Sequence, residues 1–248
     1  MNLFRTLLAL VLIGTAGAAS AAPDAGVLFD TLVALAPDIS TEALEHALDA
    51  RDCAVASGAA LASARLAVID YSRPSTQARL WVFELGAQPK LLFSEHVAHG
   101  RGSGENFASN FSNREGSHQT SLGLFRTAET YQGGNGYSLR LDGLEPGTND
   151  AARARAIVMH GAPYVDPALA LRQGRLGRSF GCPAVREAVA RPMIDSLRDG
   201  QLLFAYHTDA QWKANSPFLG CQARAATLTA RNAASGGGSA ATGAAAPR

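Results

Sequence analysis

Hydrophobic positions along the chain change their period once, near residue 65. Before that point, residues 27–35 and 41–56 carry apolar side chains at helical spacing, in the second case at Leu44, Ala47, Leu48 and from Ala50 to Val55. Ser40 and Thr41 offer N-caps for the second segment. After residue 65 the pattern becomes short runs rich in Val, Ile, Phe, Tyr and Trp separated by turn-forming residues, which predicts strands at 66–71, 79–85, 91–98, 122–127, 137–141, 155–160 and 201–207. Ser72-Arg73-Pro74-Ser75 reads as a hairpin connection between the first two. Residues 100–120 are polar, rich in Gly, Ser and Asn, and without period, so a long loop is expected there; such loops often belong to binding sites. Pro192 is expected to open a short helix ending near Gly200. Many short strands without long alternating helices predict a mostly β fold with flanking helices, a sandwich or barrel preceded by a small helical segment.

The ends of the chain read differently. Arg5, the apolar run 7–13 and the small residues Ala19-Ser20-Ala21 have the layout of a cleavable secretory signal over 1–21, with cleavage expected after Ala21. The apolar run is too short to span a bilayer, so no membrane span is expected in the mature protein. The expected organisation is then a helical segment over 22–62, a catalytic domain over 63–222 and an Ala/Gly/Ser-rich, disordered tail over 223–248. An apolar fraction of 47% with 17% charged residues suits a folded core. A net charge of +1 leaves no electrostatic footprint for nucleic acid, so recognition must come from a local site.

The residue with the most chemical promise is Cys182. It lies among small residues in Gly177-Arg178-Ser179-Phe180-Gly181-Cys182-Pro183-Ala184-Val185, downstream of an apolar run that ends in His160-Gly161. Pro183 suggests a turn entering a helix, whose N-terminal N–H groups would favour thiolate. An imidazole from the upstream strand would supply the base for nucleophilic catalysis. The competing readings are a small buried apolar residue or half of a disulfide, and spacing alone favours none of the three.

His160-Gly161 followed by Ser179-x-Gly181-Cys182 resembles the signature of the L,D-transpeptidase (YkuD-type) catalytic domain. The longer Gly-Arg-Ser-x-Gly-Cys-Pro-Ala-Val stretch, with Val97-Ala98-His99-Gly100, Phe111-Ser112-Asn113 and Ser121-Leu122-Gly123-Leu124-Phe125, is similar to a divergent branch of that family. The resemblance covers about residues 66–206. Phe180 stands where better-known members carry a second His, and Pro183-Ala184-Val185 replaces their apolar-Arg pair. The resemblance implies an exported cysteine acyltransferase of peptidoglycan stem peptides, located in the periplasm or cell wall and needing no cofactor. Water as acceptor would make it an L,D-carboxypeptidase, and loss of chemistry would leave a peptidoglycan-binding module.

Within that reading Cys182 is the nucleophile and His160 the base. Gly181 and Cys182 are expected to aim their N–H groups at the oxyanion, and Ser179 to orient His160. Gly161 admits an unusual backbone angle. Tyr164, Arg175 and Arg178 are candidates for substrate carboxylates. His99 also ends an apolar strand before a Gly, so it competes for the role of base or lines the site. His96, His99 and His118 invite a metal reading, but i and i+3 on a strand face opposite ways and no ligand motif accompanies them, so none is expected. The order His before Cys excludes a papain-type arrangement. With Cys182 assigned to catalysis, Cys53 and Cys221 are left to pair as a disulfide in an oxidising compartment.

Overall fold

The computed structural model describes residues 25–221. The expected signal segment 1–21 and tail 223–248 lie outside them. Two helices come first, α1 (Ala25–Leu35) and α2 (Thr41–Ala56). The Ser40 hydroxyl caps α2 by accepting from Ala43 N. Eight strands follow: β1 (Arg65–Asp70), β2 (Leu80–Glu84), β3 (Lys90–Glu95), β4 (Gly123–Gly133), β5 (Gly136–Gly143), β6 (Val158–Gly161), β7 (Ala184–Val185) and β8 (Leu202–Tyr206). Helix α3 (Pro167–Gln173) lies between β6 and β7, α4 (Glu187–Leu197) between β7 and β8, and α5 (Ala210–Asn215) after β8.

The strands form one sheet in the order β3-β2-β1-β8-β4-β5-β6-β7. Its two edges come together. Just past β3, Ala98 bridges Ala184 of β7, with Ala98 N donating to Ala184 O at 2.8 Å. That contact nearly closes the sheet into a barrel. Strands β1 and β8 run parallel at the centre and are buried almost throughout. Burial on both faces explains why their sequences are continuous apolar runs without alternation. Helices α1 and α2 share one core with the sheet, where Leu32, Leu44 and Ala47 lie with Leu66, Leu124 and Phe204.

Four expectations are corrected. Pro192 lies inside α4, which starts five residues earlier at Glu187. The strand expected at 155–160 begins only at Val158, because Ala152–Ala156 form turns that end with Ala156 at φ 53°. Strand β4 runs on to Gly133 through an irregularity between Thr127 and Thr130. Pro183 opens no helix: it leads into β7, so no helix N-terminus faces the thiol.

A disulfide joins Cys53 of α2 to Cys221, with 5.9 Å between their Cα atoms, and Cys182 is the free cysteine. No helix among the described residues is long and apolar enough to cross a membrane.

Candidate active site

Strands β6 and β7 build the site. They pair in parallel with His160 opposite Ala184. Cys182 lies two residues before Ala184 and so falls beside Val158, two residues before His160. Its sulfur sits at the sheet edge, accepting from Val158 N at 3.4 Å and donating to Ala156 O at 3.7 Å. Imidazole and thiol are thus brought to neighbouring strands one diagonal step apart, with no direct hydrogen bond between them.

His160 is held in one tautomer. Its Nδ1 lies 2.9 Å from the Gly161 carbonyl, which can only accept, so Nδ1 carries the proton. Among the described residues Nε2 has no hydrogen-bond partner, and it keeps its lone pair. Burial holds the imidazole below its ordinary value, so it is neutral at pH 7. Burial pushes the Cys182 thiol up, against the Val158 N–H and the Arg155 charge that pull it down. The resting pair is therefore a thiol and a neutral imidazole.

Ser179 does not reach His160. Its hydroxyl donates to Cys182 O at 2.7 Å and accepts from Gly181 N at 3.1 Å, closing the turn that presents the cysteine. Orientation of the imidazole falls instead to the Gly161 carbonyl. The Gly181 N–H expected to face an oxyanion is thereby occupied, whereas the Cys182 N–H has no hydrogen-bond partner among the described residues. Gly181 needs its glycine on other grounds. Its φ is 125°, and a Cβ there would come within 2.9 Å of Gln119 O and of the Ile157 side chain.

His99 lies beneath the site and cannot touch substrate. It is 1% exposed. Its Nδ1 accepts from Arg79 Nη2 at 2.7 Å, so Nε2 carries the proton and points at Gly104 O, 3.3 Å away. Burial and the Arg79 charge hold it down at about 3. Arg79 is itself fully buried, bonded to the carbonyls of Arg73 and Val97, and burial lowers it to about 10. His96 contacts Thr76 O and His118 contacts Arg101, so the three histidines do not converge.

Tyr164 stays at the site, half-buried, with its phenol pushed up to about 12 by burial and by the nearby thiol. Arg178 and Arg175 are tied to Glu105, and Arg178 Nη1 also donates to Gly104 O at 2.8 Å. Both brace the loop after β3 and turn no free guanidinium toward substrate. Phe180 projects at 64% exposure, with the His118 ring 4.7 Å away and the Arg101 guanidinium 4.4 Å above its face.

Two contributors escaped the sequence reading. Thr120 Oγ1 accepts from Gly100 N at 2.9 Å and donates to Gly181 O at 3.2 Å, clasping the long loop to the cysteine turn. Ser179 N and O pair with His99 O and Arg101 N in the same clasp. Arg155 lies beside Gly181. Neither Thr120 nor Arg155 stands in a spacing that marks it, although both lie at the margin of a predicted element.

The family model described as the L,D-transpeptidase catalytic domain matches residues 35–206. The chain belongs to this family. Three solved structures similar to this L,D-transpeptidase-family chain are a helical cell shape determining protein, Pgp2, from Campylobacter jejuni, the LD transpeptidase LdtMt1 in complex with imipenem, and an L,D-transpeptidase from Mycobacterium smegmatis. The first is 14% identical with a TM-score of 0.39, covering 57% of this chain and 46% of that one. The second is 15% identical at 0.36 and the third 13% at 0.36, each covering 58% of this chain and 59% of its own. The chain thus spans about half the length of the solved structures it matches. No curated protein matches it.

Proposed function

We propose that this protein is an exported cysteine acyltransferase of peptidoglycan stem peptides, acting in the periplasm or cell wall. The observation that carries the reading is the unpaired thiol of Cys182 one strand away from a neutral imidazole whose Nε2 is unengaged. Substrate entry would displace the thiol from Ala156 O. Cys182 Sγ then attacks the carbonyl at the L-centre of the diamino acid in a tetrapeptide stem while His160 Nε2 takes the thiol proton. The tetrahedral oxyanion is met by Cys182 N–H; a donor of this kind contributes about 3 kcal/mol in acyl transfer. Collapse breaks the C–N bond, His160 returns the proton to the departing D-Ala amine, and a thioester remains. An amine from a second stem attacks the thioester, its proton passes through His160 to the sulfur, and a cross-link and free thiol result.

Incubation of purified protein with tetrapeptide muropeptides, followed by chromatography and mass spectrometry, tests this reading. Cross-linked dimers with release of D-Ala are expected. Shortened stems alone would make water the acceptor, and unchanged muropeptides would overturn the enzymatic reading.

A further inference from the structure

Arg155 has no part in the chemistry above, yet it carries a permanent charge that the thiol feels. Its Nη1 donates to Ser112 O and Ser121 Oγ, each at 2.6 Å, and Nη2 to Gln119 O at 2.7 Å and Ser117 Oγ at 3.3 Å. Every partner is a neutral carbonyl or hydroxyl, and among the described residues no carboxylate pairs with the guanidinium. The same Nη2 lies 3.5 Å from the point a Cβ on Gly181 would occupy, so the cation abuts the residue preceding Cys182. The sulfur in turn rests on Ala156 O and Val158 N, the backbone that immediately follows Arg155.

The other titratable groups around the sulfur are His160 from β6, Tyr71 after β1 and Tyr164 after β6. Burial above all, and the thiol after it, pushes the two phenols up, and burial keeps His160 neutral. A half-buried cation lacking a counterion beside a buried sulfur acts through weakly screened space. Its charge is felt by the thiol, and the thiol's by it.

We propose that Arg155 is a positioning residue for the nucleophile: its charge favours the thiolate of Cys182, and its four hydrogen bonds hold residues 112–121 against the cysteine turn. This rests on the reading of Cys182 as the nucleophile.

The test is the pH dependence of Cys182 alkylation by iodoacetamide in the native, disulfide-bonded protein, which needs no peptidoglycan. Arg155→Met is expected to move the apparent ionisation upward by about one unit, slowing alkylation about tenfold at neutral pH. Arg155→Lys should restore most of the shift. Ser117→Asp keeps Arg155 but gives Nη2 a carboxylate, and should move the profile the same way as Arg155→Met; Ser117→Asn should leave it in place. Folded variants with the native profile overturn the proposal. If Arg155→Met does not fold, a native profile in Ser117→Asp overturns it alone. A thiol that no pH makes reactive in the native protein would sink the nucleophile reading itself, whereas a normal native profile with unmoved variants would sink only the role of Arg155.

Discussion

The Ser179 hydroxyl donates to the carbonyl of Cys182 at 2.7 Å and accepts from the N–H of Gly181 at 3.1 Å, so one side chain ties the Phe180–Gly181 peptide to the peptide that follows the proposed nucleophile. Ser179→Ala would strand a buried carbonyl and free the Gly181 N–H, a loss of about 1–3 kcal/mol. The expected outcome is a melting temperature lower by several degrees and transfer slowed at least tenfold, with Cys182 still present and alkylable. Calorimetry alongside single-turnover acylation checks it. Native turnover in a destabilised variant would confine Ser179 to folding.

Cys182→Ala should abolish acyl transfer with little change in melting temperature, since one small side chain replaces another at a site 8% exposed. Muropeptide turnover near the native rate would rule out a thioester.

The two histidines should separate cleanly. His160→Ala removes the free Nε2 and should slow acylation by about 10²–10⁴-fold. His99→Ala should instead lower stability, because it leaves Arg79 Nη2 with one acceptor fewer in a fully buried position. Acylation kinetics set beside urea unfolding distinguish them; a catalytically dead but stable His99 variant would reverse the assignment.

His99 also sets a pH dependence. Its folded value of about 3 lies below the unfolded value of about 6.5. Between those two values the unfolded chain binds a proton that the folded protein does not. The stability is therefore present above about pH 6.5 and is lost as pH falls toward 3, by at most about 1.4 kcal/mol per pH unit. His160 and His207 are lowered too and act in the same direction, whereas buried Asp70 and Glu145 are raised by burial and act against it. The contribution of His99 is therefore read as a difference. His99→Gln should give a flatter stability curve than the native protein between pH 6.5 and 4. Parallel curves would show that His99 does not carry the effect.

The bridge between Cys53 and Cys221 spans 168 residues of sequence. Closing so long a loop restricts the unfolded chain by about 5 kcal/mol on the chain-entropy model, with smaller gains common in practice. Reduction should lower the melting temperature while leaving Cys182 alkylation unchanged at mild temperature. Peptide mapping without reductant should find Cys182 unpaired; Cys182 linked to either other cysteine would make it structural or redox-gated.

Local pattern was enough for α1, α2 and the central strands, because helical spacing before residue 65 and continuous apolar runs after it each admit one way of being buried. The motif likewise singled out Cys182 and His160, since a family resemblance is a property of sequence. Pro183 misled: a proline at the first turn of a helix and one leading into an edge strand share the same local cue. Only pairing with β6 and the bridge from Ala98 decided for the strand. His99-Gly100 and His160-Gly161 are locally alike, and their fates diverge through what is packed against them. Arg79, twenty residues from His99, occupies its Nδ1, while the Gly161 carbonyl beside His160 takes one nitrogen and leaves the other unengaged. Thr120 and Arg155 reach Gly181 of the cysteine turn from 61 residues and 26 residues away in sequence, respectively. The sequence determined α1, α2 and the central strands, and which thiol and imidazole to suspect. Hydrogen bonds and Coulomb forces act through space, so which groups surround the thiol was decided by the tertiary structure alone.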